Sequence, residues 1–446
     1  MYLPHSDKDK EEMLQAIGVS SFEELVKQVP SKFLNPEYKL PEGMDESQAA
    51  RHLAELAEKN KKVLNFVGGG AYERYTPAAV NAIIERGEFL TAYTPYQAES
   101  SQGTLQTIYE YQSCMCALYG MDCSNASMYD GASAMAEAAR AAVRAKGKKS
   151  IVYSGAVNPQ YIQVMKTYFG NSADYQFVPC PLEDGKITVD AVNKTVDENT
   201  ACFILQTPNF FGLIEDGEAI GKAVKAKGAM YIISADPVSL GLLKTPGECG
   251  ADFAVGEGQS LGLPLSYGGP YLGIFACTKP LVRQMPGRIT GMTADKDGKR
   301  GFVLTLQARE QHIRRDKAAS NICSNEALCA LSATIYLTLL GPKGLAELAE
   351  ANAGAAAYTA EKLLEIPGAK KTFGGNFFNE FSVSLPCDAE TLRKNMLAKH
   401  NIDIGLPLGR LFPDMPELKN ALLVCATETK TAEDIDRLAA AVKEAL

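Results

Sequence analysis

The chain has 446 residues, 46% of them hydrophobic and 22% charged, with a formal net charge of −8. At roughly 150 residues per domain this allows two or three domains and excludes a disordered or fibrous chain. No apolar run reaches the roughly 18 residues of a membrane span, and an acidic chain without a long basic block is a poor nucleic-acid binder, so neither a membrane nor a nucleic acid is an expected partner.

The first residues, MYLPHSDKDKEEM, show neither a basic-then-apolar export pattern nor an Arg-rich transit pattern, which points to the cytoplasm. Residues 1–60 read as an N-terminal helical arm. Met13, Leu14, Ile17, Phe22, Leu25 and Val26 recur at near-helical spacing, and Ser20–Ser21 offers an N-cap.

From residue 61 short apolar segments alternate with helix-length amphipathic ones. Strands are expected at 127–129, 150–153, 175–178, 201–205, 230–234, 252–255 and 272–276. Helices are expected at 132–145, 160–168, 219–227 and 328–340. Such alternation makes 61–340 a large α/β domain with a mostly parallel sheet, whose ligands sit at the carboxyl ends of the strands. LLGPKGL then punctuates the chain. Residues 341–446 read as a smaller α+β domain, with helices at 345–364, 389–400 and 432–446 and strands at 377–384 and 421–425.

Eleven cysteines run from Cys114 to Cys425, with C-x-C at Cys114 and Cys116 and no CxxC pair. An odd count in apolar company reads as buried free thiols in a reducing cytosol. His52, His312 and His400 do not cluster, so no metal site is expected.

Three features of the large domain belong together. Tyr129-Asp130-Gly131-Ala132-Ser133 runs from a strand into a helix, and a small-residue helix start suits a phosphate. Asp236 follows the strand at 230–234, where a carboxylate can hold a protonated ring nitrogen or merely cap the turn before Pro237. Gly256-Glu257-Gly258-Gln259-Ser260 follows the next strand, where enzymes using pyridoxal phosphate carry their Schiff-base lysine. This loop has no lysine, and Gln259 cannot supply the amine.

Residues 93–106 (YTPYQAESSQGTLQ), 125–138 (NASMYDGASAMAEA), 286–288 (PGR) and 307–323 (QAREQHIRRDKAASNIC) carry a specific resemblance. They resemble the glycine cleavage system P protein family (glycine decarboxylase), and within it the subunit 1 type, the counterpart of the N-terminal half of the long single-chain form. The likeness spans nearly the whole chain.

That resemblance implies a fold type I, aspartate aminotransferase-like architecture. It implies that two homologous subunits pair and only one carries pyridoxal phosphate. The family's His-Lys positions fall on Gly258 and Gln259, and its GGP segment on Gly268-Gly269-Pro270. The implied cofactor therefore sits in a lysine-bearing subunit 2, and Gly131, Ala132, Ser133 and Asp236 form a degenerate pocket. The implied reaction decarboxylates glycine and passes the aminomethyl group to the lipoyl arm of H protein. A heterotetramer of two subunit types is implied as well.

Two stretches are candidates for this chain's contribution to the partner's site. Tyr93, Tyr96, Gln97, Glu99, Ser100 and Ser101 form a dense polar and aromatic loop. Arg309, His312, Arg314, Arg315 and Lys317 form a basic run that reads either as a solvated helix face or as an interface element or funnel for anions near the active-site mouth, and Arg288 shares that ambiguity. Competing readings are a stand-alone pyridoxal phosphate enzyme using Lys244 or Lys279, and a non-catalytic scaffold. A dinucleotide site at Phe66-Val-Gly-Gly-Gly-Ala is weaker, because the G-x-G-x-x-G spacing is incomplete.

Overall fold

The computed structural model describes residues 4–34, 36–170 and 172–446. Its contacts divide the chain into Met1–Lys61 and Lys62–Leu446.

In the first unit, helix Asp7–Ile17 starts at a capping box. The Ser6 hydroxyl accepts from the Asp9 N–H, and the Asp9 carboxylate accepts from the Ser6 N–H. These bonds satisfy N–H groups that a helix start leaves free. Gly18, at φ 84°, stops the helix in a left-handed conformation that a Cβ disfavours. The short helix Phe22–Leu25 follows, with Ser21 at its N-cap position but making no side-chain cap bond. Helix Glu46–Ala57 is capped by Asp45 and Gln48. None of the described residues in this unit is buried.

The second unit is organised on a seven-stranded sheet. Its strands lie in the order Cys123–Ser124, Gly273–Cys277, Phe253–Glu257, Met230–Ala235, Thr200–Thr207, Ser150–Ser154 and Gln176–Cys180. The first two pairings are antiparallel and the others parallel. Alternate side chains face opposite layers, as a pleat requires. Cys202, Ile204 and Ile232 pack with Met135, Ala138 and Ala142 of helix Gly131–Lys146. Phe203, Leu205, Tyr231 and Ile233 pack on the other face with Tyr111 and Met115 of helix Gln102–Tyr119 and Ile220 of helix Gly217–Ala226. At about 1.5–3 kcal/mol per fully buried large apolar side chain, this double-sided core outweighs exposed ion pairs worth about 0–1 kcal/mol each.

The mostly parallel sheet agrees with the sequence reading, with one correction. No strand forms at 127–129. The edge strand is Cys123–Ser124, and Met128 makes only an isolated bridge to Gly273. The cause is local: Ser127 has φ 127°, and its N–H donates to the Asn125 side chain instead of a ladder.

Helix Ala327–Leu364 breaks at Gly341 (φ 62°, ψ −179°) just before Pro342, where the sequence punctuation placed a boundary. It is the one described helix long and apolar enough to cross a membrane by length and composition. Its Ala330, Ala333 and Tyr336 are instead buried in the sheet's core.

Beyond the break lies a four-stranded antiparallel sheet in the order Lys370–Lys371, Glu380–Ser384, Ala421–Cys425, Leu406–Pro407. Helices Ala389–His400 and Ala432–Ala445 cover it through Leu392, Met396, Ile435 and Leu438. The strand expected at 377–384 begins only at Glu380. Thr431 caps the last helix as its sequence suggested.

Candidate functional site

The carboxyl ends of the parallel strands meet the small sheet at a cavity of about 40 Å3, lined by Asn158, Gln206, Asp236, Glu257, Asn379 and Glu380 among others. Gln206 comes from strand Thr200–Thr207, and Glu257 ends strand Phe253–Glu257. Asp236 follows strand Met230–Ala235, and Glu380 opens strand Glu380–Ser384 of the small sheet. This is where an open α/β sheet places its ligands.

Helix Gly131–Lys146 begins beside this cavity, and two of its first N–H groups are already taken. The Ser133 N–H donates to Asp130 Oδ1 (2.6 Å) within a capping box. The Gly131 N–H donates to Glu257 Oε2 (2.9 Å). Glu257 Oε1 accepts two more backbone N–H bonds, from Gln259 (2.9 Å) and Leu272 (3.1 Å). A Cβ on Gly131 would lie 2.7 Å from Tyr161 Oη and 3.0 Å from Glu257 Cβ, so the space above the helix start is closed. Burial pushes the Glu257 carboxyl up to about 7 despite these three donors.

Gln259 is 1% exposed. Its amide donates to the carbonyls of Tyr72 (3.0 Å) and Leu263 (2.8 Å) and accepts from the Tyr72 N–H (2.8 Å). A side chain fixed this way staples the loop to the segment at Tyr72. Lys244 and Lys279 are not among the residues lining the cavity. Lys244 Nζ instead donates to Glu218 (2.7 Å) at the surface, which removes the basis for a Schiff base on that residue.

Asp236 Oδ1 accepts from the Ser239 N–H (2.8 Å), so the capping role is realised while the carboxylate still lines the cavity. Burial raises its pKa, and the charge of Arg74 opposes the rise. Glu380 accepts from the Gly69 N–H (2.6 Å) and the Tyr72 hydroxyl (2.8 Å), and burial pushes it up to about 7. The glycines of Phe66-Val-Gly-Gly-Gly-Ala find their reason here. A Cβ on Gly68 would overlap Glu380 Oε1 and lie 2.8 Å from Cys425 Cβ.

Pyridoxal phosphate does not fit these residues. The lysine position is a hydrogen-bonded glutamine, the helix start is closed by Glu257, and the remaining volume holds about three waters at roughly 10–15 Å3 each. No group of three or more His, Cys, Asp or Glu could hold a metal ion among the described residues.

The sequence model described as "Glycine cleavage system P-protein" matches residues 1–442. The chain belongs to the glycine cleavage system P-protein family. A relative from Moorella thermoacetica, described as glycine dehydrogenase (decarboxylating) subunit 1, is 51% identical over 99% of both chains. One from Desulfitobacterium hafniense with the same description is 48% identical over 99% of both. These relatives make it a P-protein chain of the subunit 1 type. A crystal structure of glycine decarboxylase (P-protein) in inhibitor-bound form superposes with a TM-score of 0.90 at 42% identity over 100% of both chains. A NifS-like protein aligns at 15% identity and TM-score 0.63, covering 86% of this chain and 99% of its own. The fold is fold type I, the class of pyridoxal phosphate enzymes, in agreement with the sequence expectation.

In this P-protein chain the candidate surface residues lie apart from the cavity. Tyr93 and Tyr96 are 77% and 69% exposed, on the loop ahead of helix Gln102–Tyr119. Gln97, Glu99 and Ser100 are exposed beside them, while Ser101 is half-buried at the helix N-cap. The stretch from Tyr93 to Ser101 is a loop, as read from the sequence, and the helix starts at Gln102.

The buried Arg288 guanidinium lies 5.9 Å from the Tyr96 ring centroid, within cation–π range. Arg309 is not a free charge, because its guanidinium donates to the carbonyls of Met285 and Gly287, beside Arg288. His312 Nδ1 sits 3.7 Å from Glu310 Oε2. Arg314, Arg315 and Lys317 are exposed on a short helix and the 3-10 turn after it, not on one solvated helix face.

Sequence reasoning missed Tyr72, Tyr161 and Glu380, which lie far from the motif loop in the chain. It quoted Glu257 without assigning it a role. A carboxylate two residues before the lysine-equivalent position was the available signal.

Proposed function

We propose that the chain is the subunit of glycine decarboxylase that carries no Schiff-base lysine. It pairs with a homologous lysine-bearing subunit 2 that holds pyridoxal phosphate. Together they decarboxylate glycine and pass the aminomethyl group to the lipoyl arm of H protein, releasing carbon dioxide. The cofactor, when bound in that partner, supplies the electron sink for decarboxylation.

The observation that carries this reading is Gln259. Its amide makes three hydrogen bonds at the position where the chemistry needs a free amine. This chain's own part is to complete the partner's site. Tyr93 and Tyr96 offer ring faces and hydroxyls, and Arg288 orients Tyr96 from below. Gln97 and Glu99 add polar groups on the same exposed loop. Arg309 and His312 shape the base of that loop's surroundings, and Arg314 presents positive charge to anionic partners. Met13, Ile17 and Phe22 are exposed apolar side chains on the N-terminal unit, which supports a subunit contact there. The eleven free cysteines, Cys323 exposed among them, support a cytoplasmic location.

The test is reconstitution. The purified chain alone should give no imine absorbance with pyridoxal phosphate and no glycine–bicarbonate exchange. Adding the lysine-bearing homologue should restore exchange. A lysine-linked pyridoxal adduct on this chain, trapped by borohydride and mapped to a peptide, would overturn the proposal.

A further inference from the structure

The cavity at the sheet's carboxyl ends does more than lack a lysine. Helix Gly131–Lys146 runs for 16 residues and starts beside the cavity, where a Cβ on Gly131 would lie 2.7 Å from Tyr161 Oη and 3.0 Å from Glu257 Cβ, both on lining residues. A helix start carries a partial positive charge and N–H groups without partners inside the helix, the elements of an anion site. The anion present is part of the chain. Glu257 Oε2 takes the Gly131 N–H at 2.9 Å, and Glu257 Oε1 takes those of Gln259 and Leu272 at 2.9 and 3.1 Å. A second group points into the same cavity: Asn379, 2% exposed, has its amide Nδ2 buried with no partner. A buried donor without a partner marks a place where water or an anion belongs.

We infer that this is a self-filled anion site, in which the Glu257 carboxylate takes the seat of an external anion at the helix start, so that removing it opens a site for inorganic phosphate. The inference rests on the reading that this chain holds no cofactor, and it explains how the fold keeps its pocket helix without one. Without the Glu257 carboxylate these three backbone donors would lose their acceptor, and each unsatisfied buried donor is costly. An internal carboxylate meets all of them at once. It also sets a barrier to reacquiring a phosphate ligand, because the incoming anion would have to displace a like charge from the same N–H groups.

The experiment follows thermal unfolding of the full-length chain in rising inorganic phosphate, against chloride at matched ionic strength and pH. The wild type should show no saturable phosphate stabilisation. Glu257→Ala should melt lower and regain stability saturably, binding phosphate at least about tenfold more tightly than the wild type, the equivalent of one re-satisfied buried N–H. Saturable stabilisation of the wild type by phosphate overturns the inference, as does a folded E257A that takes no phosphate.

Should E257A fail to fold, Glu257→Gln provides the second readout, since it keeps the shape and loses the charge. With glycine-selective 15N labelling, the Gly131 amide resonance should move with pH near neutrality in the wild type and stay fixed in E257Q. Identical behaviour in the two proteins overturns the inference. A borohydride-fixed pyridoxal adduct would instead overturn the proposed function, leaving the phosphate result to decide the role of Glu257.

Discussion

Glu380 is a carboxyl group placed where ionisation is disfavoured. It lies under the Tyr72 hydroxyl and the Gly69 N–H, and burial raises it from 4.5 to about 7 in the folded chain. A raised folded-state value means that the folded protein binds the proton more tightly than the unfolded one. Its contribution to stability is therefore fully present below about pH 4.5 and is lost as pH rises through about 7. Each such group adds at most about 1.4 kcal/mol per pH unit to the slope. Glu380→Gln removes this one titration and keeps an acceptor for the Tyr72 hydroxyl. The expected outcome is a flatter dependence of urea-unfolding free energy on pH between 5 and 7.5 than in the wild type. Parallel curves would show that Glu380 titrates normally.

Elements differed in how plainly the sequence announced them, and the reason is burial. Strand Thr200–Thr207 has six successive buried residues, so its pattern is unbroken and apolar. The hairpin Ile289–Ala294 with Arg300–Thr305 has only three buried residues, Ile289, Thr290 and Phe302, so no continuous apolar pattern marks it, and its polar turn, DKDGK, hid the pairing. Helix Gln102–Tyr119 was concealed differently. Its buried face, Leu105, Ile108, Tyr111, Met115 and Tyr119, keeps helical spacing, but the Tyr- and Ser-rich loop before it masked the start.

The site divided the same way. The missing amine at Gln259 was legible, because it is a local absence in a local motif. The bonds from Tyr72 to Gln259 and Glu380 span 187 and 308 residues, and no periodicity encodes those. One residue joins the hidden helix to the hidden hairpin. Gln102 Nε2 donates to the carbonyls of Ala98 (2.6 Å) and Phe302 (2.9 Å), and its Oε1 accepts from the Phe302 N–H (2.8 Å). Gln102→Ala should cost about 1–3 kcal/mol by stranding partners of these bonds. It should also make the 93–101 loop sensitive to limited proteolysis and lower turnover in the reconstituted complex. Unchanged proteolysis with normal turnover would separate this clamp from the loop's order.

At the scale of the whole molecule the charge is −8, yet Arg314, Arg315 and Lys317 stand together, exposed, and without an ion pair among the described residues. A local reversal of sign on an acidic chain steers an acidic partner toward one face. In the proposed scheme that partner is the lipoyl carrier, since glycine is neutral overall and feels little long-range field. Exposed charges contribute about 0.2–1 kcal/mol each, so Arg314→Glu with Arg315→Glu should raise KM for lipoylated H protein by about 3–10-fold at low salt. In that scheme the kcat and the KM for glycine should not change, because these exposed charges act on the encounter with the carrier. Screening supplies the control. The Debye length falls from about 10 Å at 0.1 M salt to about 3 Å at 1 M, so the gap between variant and wild type should close as salt rises. A KM for H protein that is equal in both at low salt would remove the docking role from this segment. A difference that persists at high salt would assign it to packing instead of steering.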